Sequence, residues 1–68
     1  MEDNKIIILM EHTIHHNEHH AEDFIDIASK LKEEGATDAA TLAEEAAKDV
    51  NEAVRKLKEA RELYKSKL

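Results

Sequence analysis

The first half of the chain repeats apolar residues at the spacing of an amphipathic helix. At 100° per residue, most apolar side chains of residues 4–34 fall on one side, and Ile7 widens this stripe. The stripe contains Ile6, Met10, Ile14, Ala21, Phe24, Ile25, Ala28 and Leu31. Asp3 or Asn4 can cap the start of such a helix, and Gly35 can end it in the left-handed conformation. The pattern predicts a first helix over about residues 4–34.

A second helix is predicted over about residues 38–67. Its seam, the row of positions at alternating spacings of three and four that packs against a neighbouring helix, is rich in alanine. The seam consists of Ala43, Ala46, Val50, Ala53, Leu57, Ala60 and Tyr64. Thr37 or Asp38 can cap this helix, and a capping box that starts at Thr41 is a further candidate.

About three residues join the two helices, which forces them to lie side by side in opposite directions. The predicted fold is therefore all-α, an antiparallel two-helix hairpin that covers residues 1–68 as a single domain. Such a hairpin is one layer and leaves apolar surface exposed, so we expect it to dimerise into a four-helix bundle. A chain of 68 residues is also marginal as a lone monomer.

Composition and charge exclude several classes of function. The chain has no cysteine or proline and one glycine, which excludes disulfides, thiolate metal sites and glycine-rich phosphate loops. Residues 1–35 carry nine acidic against three basic residues, whereas residues 36–68 carry seven of each. This charge disfavours nucleic acid and anionic membranes as partners and favours cations. The apolar run from Ile6 to Met10 is too short for a signal peptide or a membrane span, so we expect a cytoplasmic protein.

All five histidines lie within nine residues of the first helix, in two rows. The inner row, His12, His16 and His20, follows the edge of the apolar stripe at spacings of four, with His20 turned furthest inward. The outer row, His15 and His19, has the same spacing on another face. The outer row is expected to face the carboxylates of Glu11, Glu18, Glu22 and Asp26.

Imidazoles four residues apart on a helix can hold one divalent ion, because their Cβ atoms are about 5–6 Å apart. His16, His20 and Asp23 form the tightest ligand set, at i, i+4 and i+7. The second helix offers no ligand opposite this row, so further ligands would come from a second chain. We expect two first helices to pack antiparallel about a two-fold axis near His16, so that His12 of one copy meets His20 of the other. Imidazole and carboxylate donors without thiolate favour nickel, zinc or cobalt.

Other interpretations of the histidines stay open. The outer row can be a solvated face, and the inner row can be a hydrogen-bonded polar layer at a bundle interface. Thr13, Asn17 and His20 interrupt an otherwise apolar seam that also holds Ile27, which fits either a functional site or such a layer. Five imidazoles that become charged between about pH 7 and pH 5 would also make the helix sensitive to acid. Because the sequence has no nucleophile motif, we predict that the protein is not an enzyme.

The segment from Glu11 to Phe24 resembles a helix of short histidine-rich α-helical hairpin proteins of anaerobic microbes, with the pattern E-H-x-x-x-H-N-x-x-H-A-E-x-F. The matching residues are Glu11, His12, His16, Asn17, His20, Ala21, Glu22 and Phe24. Some such proteins are linked to nickel-handling accessory modules, so the resemblance implies a metal role for the inner row. The chain departs from the pattern at His15 and His19, and at Thr13, where the pattern has a large aromatic residue.

Together these observations predict a protein that stores, delivers or senses a divalent transition metal, nickel or zinc foremost. The candidate ligands are His12, His16, His20 and Asp23, followed by His15 and His19. The expected partners are a second copy of the chain and a metalloenzyme or metal-handling protein. The alternative is a structural or interaction module whose inner row is a polar interface layer, and a third possibility is an adaptor that docks a helix of a metalloenzyme.

Overall fold

A computed structural model describes residues 4–68 and shows two helices packed against each other. Helix α1 spans Lys5–Glu33 and helix α2 spans Thr37–Lys65. A hydrogen bond between Asn4 and Tyr64 joins one end of the pair, and an ion pair between Lys32 and Glu44 lies towards the other, so the helices run antiparallel. The predicted all-α hairpin is confirmed. Neither helix within residues 4–68 is long and apolar enough to cross a membrane.

Helix α1 begins at an asparagine cap. The Oδ1 atom of Asn4 accepts hydrogen bonds from the backbone N–H groups of Ile6 at 2.9 Å and Ile7 at 3.1 Å. These bonds satisfy two of the N–H groups that a helix start leaves without a partner. The Nδ2 atom of Asn4 also donates to the Tyr64 hydroxyl at 3.1 Å, which ties the cap to α2. Asn4 is thus a cap, as predicted, whereas the other candidate, Asp3, lies outside the described residues.

Replacing the cap should weaken the fold measurably. We expect Asn4→Ala to lower the free energy of unfolding by about 1 kcal/mol, because two backbone N–H groups lose their acceptor. Asn4→Ser keeps an acceptor for the cap and has no amide group to reach Tyr64, so it loses only that bond and should stay much closer to the wild type. Urea unfolding followed by circular dichroism measures both variants. Equal losses in the two would show that the bond to Tyr64, and not the cap, stabilises this end.

Gly35 ends α1 in the left-handed conformation, with φ at +78°. The N–H of Gly35 donates to the carbonyl of Lys32 at 3.0 Å, and the N–H of Ala36 donates to the carbonyl of Leu31 at 2.9 Å. These two bonds form a Schellman motif, which satisfies carbonyls that would otherwise lack partners. The predicted end of the helix at this glycine is therefore confirmed.

The predicted polar caps of α2 are wrong. The cap position is Ala36, which has no side chain to accept a hydrogen bond, and Thr37 is already the first helical residue. Thr41 lies within the helix, where its Oγ1 donates to the carbonyl of Thr37 at 3.1 Å, so it starts no capping box. The reason is the Schellman motif, because its last residue is Ala36 and the chain enters α2 without an intervening residue. Asp38 in the first turn still interacts favourably with the helix dipole.

The core consists of two rows of buried residues at heptad spacing. These are Ile14, Ala21 and Ala28 in α1, and Ala40, Ala47 and Val54 in α2. Half-buried residues of each helix complete the seam, namely Met10, Asn17, Phe24 and Leu31 from α1 and Ala43, Val50, Leu57 and Tyr64 from α2. Four of the six buried residues are alanines, so the helices can approach closely while burying little area per residue.

The core differs from the predicted stripe and seams at several positions. Ala53 is exposed and Ala46 is half-buried, because Val54 and Ala47 take the inward positions. Neighbouring small residues give the same apolar signal, so the α2 pattern does not determine which of them faces α1. In α1, Ile6, Ile25 and Ile27 are 50–51% exposed. The contact pattern between two packed helices repeats every 3.5 residues. A helical wheel drawn with 3.6 residues per turn therefore drifts away from the true seam over several turns.

Two contrasting flanks border the core. The residues four positions after each buried residue lie on one side of the hairpin, which we call the ion-pair flank. There the Lys58 and Glu18 side chains are 3.1 Å apart, and those of Lys32 and Glu44 are 2.8 Å apart. Residues immediately before the buried rows lie on the opposite side, which we call the apolar flank. Ile6 and Ile27 are on this flank, each 50% exposed, and the small side chains of Ala39, Ala46 and Ala53 occupy the equivalent positions of α2. The two ion pairs therefore lie on one side of the hairpin, and the apolar flank lies on the other.

Candidate metal site

The inner row forms a ladder of rings along α1. The rings of His12 and His16 stack with centroids 6.2 Å apart and planes 12° from parallel. The rings of His16 and His20 meet edge to face at 4.3 Å, and His20 stacks on Phe24 at 6.4 Å. The structure thus brings together the three histidines that the helical wheel assigned to one row.

His16 and His20 bring their Nε2 atoms to within 2.9 Å of each other. Two nitrogens bound to one zinc ion at about 2.0–2.1 Å are about 2.9 Å apart at a right angle and about 3.3 Å apart at the tetrahedral angle. The observed spacing matches the distance expected for a right angle at the metal, and right angles between ligands are typical of tetragonal nickel sites. The spacing of these two nitrogens is compatible with two ligand positions of a single ion and also with a hydrogen bond between the two rings.

The outer row forms a second pair on the other side of α1. The Nε2 atoms of His15 and His19 are 3.3 Å apart, and their rings meet edge to face at 4.7 Å. The Nδ1 atom of His19 lies 3.5 Å from Oε2 of Glu22. The pair borders an open depression on the ion-pair flank, which is also lined by Glu18, Asp26 and, from α2, Asn51. Both rings are exposed, as expected of a solvated face.

Neither pair gathers a third ligand within one chain. Among residues 4–68, no three side chains of histidine, cysteine, aspartate or glutamate are grouped closely enough to hold an ion. Asp23, the third member of the predicted set with His16 and His20, is exposed and does not complete such a group. Each pair therefore supplies two ligands, and any further ligand has to come from a moving side chain, from water or from another molecule.

The amide at the polar centre of the α1 seam bonds within its own helix. Thr13, Asn17 and His20 are all half-buried. The Nδ2 atom of Asn17 donates to the backbone carbonyl of Thr13 at 2.9 Å, so this amide needs no partner on α2. His20 is less exposed than the other four histidines, as predicted. It precedes buried Ala21 by one position and so places the inner pair beside the apolar flank.

The basic part of α2 lies along the acidic part of α1. The Lys58 and Glu18 side chains form an ion pair, and the Nη1 atom of Arg61 is 3.8 Å from Oε2 of Glu11. Glu22, Asp23 and Asp26 add further negative charge around the histidines, and this charge favours a bound cation.

A separate ionic cluster lies within α2. Hydrogen bonds from the Arg55 guanidinium lower the pKa of the Glu52 carboxyl, and the same bonds raise the pKa of Arg55. Arg55 also contacts Glu59 one turn further along. These groups are exposed, so solvent screens the cluster and its contribution to stability is small.

Two residues beside the outer pair were given no role by the sequence analysis. Glu22 was placed near the outer row, and its spacing of three from His19 is the signal that indicates a direct contact. Asn51 reaches the depression from α2. The sequence of α1 holds no signal for Asn51, because its place depends on the packing register of the two helices.

A family model described as a domain of unknown function (DUF8180) matches residues 6–64. This range is most of the chain, so the protein belongs to that family. No curated protein and no solved structure matches the chain.

Proposed function

We propose that this DUF8180 protein binds a divalent transition metal ion, nickel or zinc, through the inner row of α1 at the contact between two copies of the chain. The observation that carries the proposal is the 2.9 Å distance between the Nε2 atoms of His16 and His20. Neutral imidazole is the commonest protein ligand for these metals, and no thiolate competes for the ion in this chain.

In the proposed function the remaining ligands come from a second chain, because the inner pair supplies two ligands and lies beside the exposed apolar flank that a second copy would cover. A structural zinc site has four ligands, and the inner pair supplies two. The antiparallel arrangement predicts Ala53, Leu57 and Ala60 opposite the inner row, and none of them has a donor atom, while Arg61 carries a positive charge. In the proposed dimer, two α1 helices cross antiparallel near His16. His12 of a second copy then approaches His20, which gives two equivalent sites.

The surface of the hairpin supports dimerisation. The chain exposes 5390 Å², whereas a compact monomer of 7.8 kDa exposes about 4,400 Å². The excess of about 1,000 Å² per chain is close to the roughly 800 Å² that each partner contributes to a standard interface. The exposed side chains of the apolar flank lie beside the inner pair. Covering this flank with a second hairpin would produce the proposed four-helix bundle.

The proposed role is storage, delivery or sensing of the metal, without catalysis. Delivery and sensing both require a further partner, which would be a metalloenzyme or another metal-handling protein. Two further statements stay predictions from the sequence. One is that nucleic acid and membranes are not partners, and the other is the cytoplasmic location.

A second candidate function also has support from the inner pair. A distance of 2.9 Å is a normal hydrogen bond between a protonated and an unprotonated ring nitrogen of two neutral imidazoles. A row bonded in this way would be a polar layer that fixes the register of a helical interaction module. The two functions differ in one respect, since a polar layer needs no metal.

Thermal unfolding with and without metal separates these functions. The variant His15→Ala, His19→Ala leaves only the inner row and is the appropriate sample. A metal ion that binds the folded state, at a free concentration ten times its Kd, adds about 1.4 kcal/mol of stability. For a domain of this size we expect the Tm to rise by about 5–10 °C with nickel or zinc and to return after chelation. An unchanged Tm with every first-row divalent metal would favour the interaction module.

A further inference from the structure

We infer that His15 and His19 hold a second divalent metal ion within a single chain, and that Glu22 is the positioning residue of this site. The inference goes beyond the proposed function, because that function uses the inner row and a second copy of the chain.

The sequence carries two interleaved copies of one spacing. His15, His19 and Glu22 lie at i, i+4 and i+7, and so do His16, His20 and Asp23. A shift of one residue rotates the second set by about 100° around the helix, so the two sets face different directions. The structure agrees, because the outer pair borders the ion-pair flank while His20 lies beside the apolar flank.

The outer pair has the distance that a tetrahedral ion requires. Its Nε2 atoms are 3.3 Å apart, which equals the spacing of about 3.3 Å expected for two nitrogens on a tetrahedral zinc ion. The backbone holds both rings one turn apart on a continuous helix, so binding needs no movement of the main chain. The other positions of the ion would be taken by water, since the depression is open to solvent.

Glu22 prepares His19 to act as a ligand. Its Oε2 atom is 3.5 Å from Nδ1 of His19, on the opposite side of the ring from His15. A carboxylate there favours the tautomer that carries its proton on Nδ1, which leaves the Nε2 lone pair free for a metal. Glu18 and Asp26 line the same depression and add negative charge.

The two sites should respond differently to dilution. The inner site needs two chains, so its affinity depends on protein concentration. The outer site is complete within one chain apart from water, so its affinity does not. This difference allows the failure of one proposal to be recognised independently of the other.

Zinc titration of the variant His16→Ala, His20→Ala tests the outer site, because this variant lacks the inner pair. We expect one zinc ion per chain, with the same Kd at two protein concentrations tenfold apart. Adding His15→Ala and His19→Ala to this variant should weaken binding at least a hundredfold. Loss of all zinc binding in the variant that still has the outer pair would overturn the inference, as would equal binding when that pair is also removed.

Glu22→Gln and Asp26→Asn, made in the same His16→Ala, His20→Ala variant, separate positioning from general charge. Both substitutions remove one negative charge from the same depression. We expect Glu22→Gln to weaken zinc binding about tenfold, which is in the range for partners that orient a metal ligand, and Asp26→Asn to weaken it less than threefold. Helix content measured by circular dichroism should not change in either variant. Equal effects of the two substitutions would remove the positioning role of Glu22.

Discussion

The double substitution His16→Ala, His20→Ala is expected to abolish metal-dependent dimerisation. With zinc or nickel in excess, the dimer dissociation constant should rise at least a hundredfold relative to the wild type, which corresponds to about 2.7 kcal/mol. The physical reason is that, in the proposed dimer, the two Nε2 atoms that lie 2.9 Å apart would be ligands of the ion that links the two chains. Sedimentation equilibrium with metal and with chelator measures this constant directly.

The outer row supplies a matched control for this experiment. His15→Ala, His19→Ala also removes two histidines four residues apart from the same helix. Of the four rings compared, His15, His16 and His19 are exposed and His20 is half-buried. This control should dimerise with metal as the wild type does. If both double variants lost dimerisation equally, the inner row would have no special role.

The second large effect is expected from Ala40→Leu. Ala40 is completely buried, and Ala28 and Ala47 in the same alanine-lined core are 2% and 1% exposed. A leucine there has no space and must push the helices apart, which costs about 1–3 kcal/mol. A core this small rarely provides more than about 3–5 kcal/mol in total, so the variant should lose a large part of its stability. Urea unfolding measures the loss.

Ala39→Leu is the appropriate control for the core substitution. The neighbouring Ala39 is exposed in the single hairpin, so without metal and at concentrations where the chain is a monomer, the same change of side chain should alter the free energy of unfolding by no more than about 0.5 kcal/mol. An Ala40→Leu variant as stable as Ala39→Leu would mean that the alanine rows do not form the close contact described here.

The sequence predicts the helices of this fold better than their mutual contact. Gly35 and Asn4 are strong local signals for the end and the start of a helix, and both have the roles that were predicted for them. One row of the predicted α2 seam is wrong by one residue, because Ala47 and Val54 are buried in place of Ala46 and Ala53, and neighbouring small residues carry the same signal. The other row, Ala43, Val50, Leu57 and Tyr64, lies in the seam as predicted. Which of two neighbouring small residues faces α1 is decided by the packing of the two helices, and a single helix pattern does not contain this information.

The candidate site was predictable as far as it lies on one helix. The spacing of four residues between His16 and His20, and between His15 and His19, was sufficient to pair the rings. The missing third ligand could not be predicted in the same way. Asp23 has a suitable spacing, but its side chain is exposed and completes no three-ligand group within residues 4–68. Side-chain direction and the place of a second chain decide ligation there, and neither follows from spacing alone.

Native mass spectrometry of the untagged His15→Ala, His19→Ala variant with excess zinc or nickel tests the central claim most directly, because it reports chains and ions together. The account predicts two chains with two bound ions, and release of both ions with weakening of the dimer after chelation. Single chains without metal, or a dimer that holds no ion in the presence of excess metal, would contradict it.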